Sequence, residues 1–278
     1  MPNDLSVPPG DYYSPIPVDD QIQRYWKYRE QPLPQKIASI DFNARREQDE
    51  NLSGMISEYR TLPSFPANRE GRLRYYYLNP ELAYQDAVAL RYFLRKYRPR
   101  RVIEVGSGHS SACMLDTADA YAIASQFTFI DPNPGRLLEN ITEVDHRRCN
   151  VLVQKVQDVD VSMFSALQRN DVLFIDSSHV AKLCSDVNWY FFEIFPRLAS
   201  GVVIHIHDIN YPFTDPGHFV EQGRSWNEIY MLRAFLMYNS AFRIIGWIPF
   251  YTLLREEAVR QMPLCVQYPG GSFWMRKE

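Results

Sequence analysis

Several groups of residues in this chain carry chemistry, and each follows a short apolar run. The first is Glu104-Val105-Gly106-Ser107-Gly108, in the stretch VIEVGSGHSS. Gly106 and Gly108 let the backbone turn sharply and approach a ligand closely, and a helix expected from Ser110 offers unpaired N–H groups to an anion. Glu104 adds a carboxylate able to meet an amino group. Asp131 closes FTFID, and a carboxylate at that place can accept both hydroxyls of a ribose. Gln157 and Asp158 come soon after VLVQK and suit an adenine edge. Any one of these acids could merely cap a helix. Their recurrence after three successive apolar runs points to an adenosine-type cofactor.

A second set could act on a reacting centre. Asp176, Ser177, Ser178 and His179 follow VLFI, and an imidazole titrating near neutrality suits a general base. The run His205-Ile206-His207-Asp208 places both histidines on one face of a strand, with Asp208 at its tip. The long segment 210–223, with its Pro and Gly residues, is of a length that usually carries function. Tyr211, Phe213 and Trp226 would form an apolar wall beside it, and Arg224 would hold an acidic or hydroxylated substrate.

These residues need a scaffold, and the hydrophobic pattern supplies one. Apolar residues at helical spacing predict a helix over 81–97, stopped by Pro99. Strands are expected at Arg101–Val105, 127–130, 151–155, Val172–Ile175 and 201–207, separated by helices over 110–124, after Pro134 and over 182–198. A helix over 226–239 and strands at Phe242–Trp247 and 272–276 complete the series. Strands alternating with helices argue for an open, largely parallel α/β sheet, and such sheets bind ligands at the carboxyl ends of their strands. Residues 1–75 differ, being rich in Pro, Tyr and charge, with short helices expected over 20–29 and 43–59. They predict an N-terminal extension, a lid or a dimer contact, ahead of a main domain over 76–278.

The run EVGSG, the acidic end of the second strand and NDVLFIDSSHV resemble motifs of class I S-adenosylmethionine-dependent methyltransferases. The likeness spans residues 75–242. It is nearest to the bacterial branch of macrocin-type O-methyltransferases and cephalosporin-hydroxylase-like proteins, through IDSSH, HIHDI and the later WNE. The resemblance implies a Rossmann-like seven-stranded sheet in order 3-2-1-4-5-7-6, the last strand antiparallel, with helices on both faces. It assigns S-adenosylmethionine as cofactor, with Glu104, Gly106 and Gly108 toward its methionine part and Ser107 and Ser110 also among the cofactor-binding residues. Asp131 goes to the ribose, Asp158 to the adenine side and Asp176 to the sulfonium edge. His179, Asp176 and Asp208 are then the catalytic candidates, and His207, Tyr211, Arg224 and Trp226 the substrate-binding ones. In metal-dependent relatives the positions of Asp176 and Asp208 hold a divalent ion. Here His207 stands where one of the paired acids is expected, and magnesium prefers hard oxygen ligands. Asp176 and Asp208 are the metal candidates, and two readings stay open for His207 with Asp208: a softer metal, or an acid–base pair without metal.

The expected activity is methyl transfer to a small or medium acceptor, a hydroxyl of a sugar or secondary metabolite. The alternatives are an NAD-dependent oxidoreductase, against which Ser111 stands in place of the third glycine of GxGxxG, and a non-catalytic protein that keeps the fold. A formal net charge of −3 over 278 residues gives no cationic footprint for nucleic acid. No apolar run reaches bilayer length, no secretory signal is readable, and Cys113, Cys149, Cys184 and Cys265 form no CxxC pair. A cytoplasmic enzyme, able to form a homo-oligomer, is the expectation.

Overall fold

Strands β1 (Arg101–Val105), β2 (Gln126–Ile130), β3 (Cys149–Leu152), β4 (Val172–Ile175), β5 (Val203–Ile206), β6 (Phe242–Trp247) and β7 (Phe273–Lys277) alternate with helices along the chain. The computed structural model describes residues 8–9, 11, 14–29, 37, 40 and 45–278. The rest of the expected extension, including Asn43 at the start of its second helix, lies outside the described residues. The strands form one sheet in the order β3-β2-β1-β4-β5-β7-β6. β7 runs antiparallel to both neighbours and the other pairings are parallel, as the resemblance implied. β4 and β5 are buried throughout and β1 in all but its first residue, which is why they read as unbroken apolar runs.

The ladder continues one residue beyond each central strand, and this positions the site. Asp131 N donates to Leu152 O (3.1 Å), Gly106 N to Ile130 O (3.0 Å), Asp176 N to Val105 O (2.9 Å) and His207 N to Ile175 O (2.9 Å). The residues that follow β2, β1, β4 and β5 therefore stand side by side at the carboxyl edge. The strand order reverses between β1 and β4, so Gly106 and Asp176 flank the switch point, where open sheets bind ligands.

Several element bounds differ from expectation for local reasons. The helix expected over 81–97 is Tyr84–Tyr97, because the Asn79 carboxamide oxygen accepts from the amides of Glu81 (2.9 Å) and Leu82 (2.7 Å) and holds them in a turn. The third strand lies at Cys149–Leu152 rather than 151–155, in register with Phe127–Ile130; Val153 is exposed. The helix expected over 182–198 begins at Asp186, capped by Ser185 Oγ. It continues as a π-turn, Tyr190–Ile194, and a 3₁₀ turn, Phe195–Arg197.

Of the extension, helix α1 spans Asp19–Arg29 and α2 spans Arg45–Thr61. α2 is bonded to the sheet at a β-bulge in β6, between Ile244 and Gly246. Gln48 Nε2 donates to Ile244 O (3.1 Å) and Asn51 Nδ2 to Ile245 O (2.7 Å). A bulge takes backbone groups out of the ladder, and these two side chains supply the missing donors. Asn51→Leu should therefore cost about 1–3 kcal/mol, the penalty of a buried polar group left unpaired. A thermal melt should show a clear drop in midpoint, and an unchanged midpoint would mean that α2 is a passive cover.

Candidate functional site

A cavity of about 970 Å³ opens at the carboxyl edge of the sheet, and its wall includes Gly106, Ser107, Asp131, Asp176, His179, His207, Asp208, Arg224 and Trp226. That volume accommodates a nucleoside-sized ligand together with a small second molecule. Gly106 has φ +80, and a Cβ placed on it would lie 1.8 Å from the Asp176 carbonyl oxygen. Only glycine fits between β1 and β4 there. At the next turn, Ser107 donates to Asp131 Oδ2 through both its amide (2.9 Å) and its hydroxyl (3.0 Å). Asp131 thus ties the loop after β1 to the end of β2 while still facing the cavity.

Glu104 is fully buried and does not line the main cavity. Its carboxylate accepts from the hydroxyls of Ser110 and Ser111 in the first turn of the helix His109–Ala120. Burial pushes its carboxyl up to about 8, against the two hydroxyls that stabilise its charge. Ser111, which replaces the third glycine, also accepts from Gly108 N (3.0 Å). Gly108 and Ser110 line a small recess beside the main cavity with Ser107 and Asp176.

His179 and His207 form the centre of the site. His179 Nδ1 is 2.7 Å from Glu228 Oε2, and its Nε2 lies 3.4 Å from Asp176 and 3.9 Å from Asp208. The Tyr190 hydroxyl donates to the other Glu228 oxygen. His207 Nε2 is 3.3 Å from Asp86, while its Nδ1 faces Asp208 (3.5 Å) and Asp176 (3.9 Å). Burial disfavours charge on His179, yet the hydrogen bonds to Asp176 and Glu228 outweigh it and hold the imidazolium well above the ordinary histidine value. Desolvation works against the charge of half-buried Asp176, but its carboxyl is held down at about 2, chiefly by His207 and His179. His179 (φ 59) and Asp208 (φ 56) both adopt left-handed backbone. Non-glycine residues take up such conformations at some cost, often at functional positions. For His179 the support is visible: its carbonyl accepts from Asn227 N and Glu228 N (both 3.1 Å), at the start of the helix Glu228–Leu236.

His207 makes a pH prediction. Burial opposes its charge, but Asp176 and Asp208, with the hydrogen bond to Asp86, lift it to about 10. A histidine raised on folding contributes stability that is complete below its unfolded value of about 6.5 and is lost as pH rises through the folded value. Stability should therefore fall as pH climbs toward about 10, and His207→Gln should flatten that fall. Equal slopes in wild type and variant, measured by denaturant titration, would remove this imidazolium from the account.

The donors do not fit a divalent ion. Asp176 and Asp208 are both turned toward the two imidazoles, and His207 takes the place of a hard oxygen ligand. Among the described residues no group of three or more His, Cys, Asp or Glu is arranged to hold a metal ion. Asp176 and Asp208 thus meet imidazoles rather than the further hard oxygen ligands that magnesium on them would need.

Other candidates are also relocated. Tyr211 and Phe213 are buried and pack on Trp247 (4.9 and 4.5 Å between centroids), because the interior offers them more apolar contact than the cavity does. The apolar wall is instead Trp226 and Phe219, 4.8 Å apart. Asp158 is exposed at the end of the 3₁₀ turn Val156–Asp158; Lys155, Val156 and Gln157 line the cavity there. The displaced third strand explains this, since moving it back two residues turns the following segment. His205 is buried against Phe174, its Nε2 3.0 Å from Ser272 Oγ, and it does not line the cavity. Sequence reasoning passed over Glu228 as a partner of His179 and passed over Asp86 altogether. The signal for Asp86 was an acid on the apolar face of ELAYQDAVALRYF.

Residues 103–209 match the family model described as a methyltransferase domain. An uncharacterized protein of Archaeoglobus fulgidus is 33% identical over 171 residues, covering 59% of this chain and 74% of its own. Among solved structures, the chain is similar to the SAH-bound Podospora anserina methyltransferase PaMTH1 (12% identity, 94% of this chain and 96% of that one, TM-score 0.46). It is also similar to the O-methyltransferase TomG from Streptomyces achromogenes in complex with SAM (15% identity, 93% and 96%, TM-score 0.44). No helix among the described residues is long and apolar enough to cross a membrane.

Proposed function

We propose that the chain, whose residues 103–209 match a methyltransferase domain, is a class I S-adenosylmethionine-dependent methyltransferase that methylates a hydroxyl of a small acceptor, such as a sugar or secondary metabolite, in the cavity between Gly106 and Trp226. The observation that carries this reading is the row of residues just beyond the strands. A tight glycine turn, a ribose-type carboxylate and a histidine held from behind by Glu228 follow one another along one cavity wall. Gly106, Ser107 and Asp131 would hold S-adenosylmethionine, with Val156 and Gln157 at its base and Asp176 beside its sulfonium. That cofactor supplies an activated methyl group on sulfur.

The chain's own part is alignment and proton removal. Trp226 and Phe219 seat the acceptor, and His179 Nε2 takes the hydroxyl proton as the O–CH₃ bond forms and the S–CH₃ bond breaks. Glu228 holds the opposite ring nitrogen. Because His179 starts as an imidazolium, it must first lose its proton, so activity should rise with pH above neutrality. We read 76–278 as the methyltransferase domain and 1–75 as an extension; its α2 is bonded to the sheet, and its α1 meets residues 215–217 through Tyr25 and Trp26. The four cysteines are free, as a reducing cytoplasm allows.

Calorimetry tests the cofactor assignment. S-Adenosylhomocysteine should bind wild type, and Asp131→Ala should weaken it by about tenfold or more, the effect of losing a charge-assisted hydrogen bond. Tighter binding of NADH than of S-adenosylhomocysteine would overturn the reading.

A further inference from the structure

Arg224 occupies a place that its hydrogen bonds define closely. The helix Gly217–Glu221 ends in two paired turns: Gly223 N donates to Val220 O (3.0 Å) and Arg224 N donates back to Phe219 O (3.0 Å). Gly223 carries φ +69, the left-handed step that this kind of helix end requires. The same motif brings the residue after the glycine against the side chain five positions earlier, and here the Arg224 guanidinium lies 4.4 Å from the Phe219 ring centroid. It also lies 4.6 Å from that of Trp226. The plane of the guanidinium is thus set by two aromatic rings, while Arg224 as a whole remains exposed in the cavity wall.

A guanidinium fixed in this way presents a rigid fork of N–H donors that matches a carboxylate or a phosphoryl group. Among the described residues no carboxylate forms an ion pair with it. Asp186, another acid of the cavity wall, is committed to Ser178, accepting from its amide (2.9 Å) and its hydroxyl (2.6 Å). Trp226 meets the His179 ring on its other contact, 4.3 Å between centroids. Base and guanidinium therefore each touch the same indole.

We infer that the acceptor is a flat hydroxylated molecule bearing an anionic group, a carboxylate or phosphate, which Arg224 binds while the hydroxyl meets His179. This inference rests on the methyl-transfer reading for the role of His179, but not for the anion site itself. The route from Gly106 to Arg224 passes through Asp176, His179 and Trp226. Arg224 accordingly serves the acceptor end of the cavity, away from the cofactor loop.

The test uses the full-length protein and three probes: 4-hydroxybenzoate, 4-hydroxyphenyl phosphate and the neutral 4-hydroxybenzamide, titrated by calorimetry with saturating S-adenosylhomocysteine. At least one anionic probe should bind wild type about tenfold or more tightly than the amide, and the better of the two names the group. Arg224→Gln should abolish that preference and leave S-adenosylhomocysteine affinity within about twofold. Arg224→Lys should restore only part of it, since lysine keeps charge but not the fork. An absent preference in wild type, or one that survives in Arg224→Gln, overturns the proposal. Loss of S-adenosylhomocysteine binding in Arg224→Gln also overturns it, by placing the guanidinium at the cofactor. If S-adenosylhomocysteine fails to bind wild type, the methyl-transfer reading falls, and the same titrations run without it still decide the anion site.

Discussion

His179→Ala should lower kcat by about 10²–10⁴-fold, the range for loss of a positioned general base, with S-adenosylhomocysteine affinity little changed. The expectation follows from its two-sided anchoring: Glu228 fixes Nδ1, so Nε2 alone faces the cavity side, toward Asp176 and Asp208. Glu228→Gln should act through His179. It retains shape and hydrogen bonding but removes a charge, so the alkaline rise of activity should begin at lower pH. A turnover assay across pH with methyl-labelled S-adenosylmethionine reads both effects. Full activity of His179→Ala at every pH would dismiss His179 as base. An unshifted profile in Glu228→Gln would reduce that residue to a structural prop.

Gly106→Ala should have an effect as large by a different route. The added methyl meets the Asp176 carbonyl at 1.8 Å, so β1 and β4 cannot keep their spacing at the switch point. Left-handed backbone on a non-glycine residue adds about 1–3 kcal/mol of strain, and overpacking adds about 1–3 kcal/mol more. The cheapest relief is to move the loop away from the sheet, which dismantles the cofactor seat. S-Adenosylhomocysteine affinity should drop by about 100-fold or more, while far-UV circular dichroism stays close to wild type. Binding within a few-fold of wild type would mean that the loop does not form the seat.

The central strands were legible because a strand buried on both faces leaves an unbroken apolar run. β1 and β4 were located to the residue, and Gly106, Ser107 and Asp176 to His179 just beyond them line the cavity. Legibility failed where tertiary contact decides between equal local choices. VLVQK carries as good a strand pattern as CNVL, and only the register against Phe127–Ile130 selects the latter; Asp158 was misplaced as a consequence. Tyr211 and Trp226 are both aromatic residues near a long loop. Trp247 and Phe250, distant in sequence, draw Tyr211 inward, and no local pattern announces that.

The candidate base shows the same boundary. An imidazole after β4 is readable, but its charge state is not, because Glu228 and Asp208 reach it from other elements. The metal reading meets geometry of the same kind. Two carboxylates at matching positions suggested an ion, and the structure gives both of them imidazoles as partners.

The most direct test of the central claim is a crystal structure with S-adenosylhomocysteine bound. The ribose hydroxyls should lie on Asp131, the amino-acid end along Gly106–Gly108, and the thioether sulfur beside Asp176 with its open side toward His179 and Trp226. A nucleoside bound elsewhere, or a sulfur walled off from His179, would contradict it.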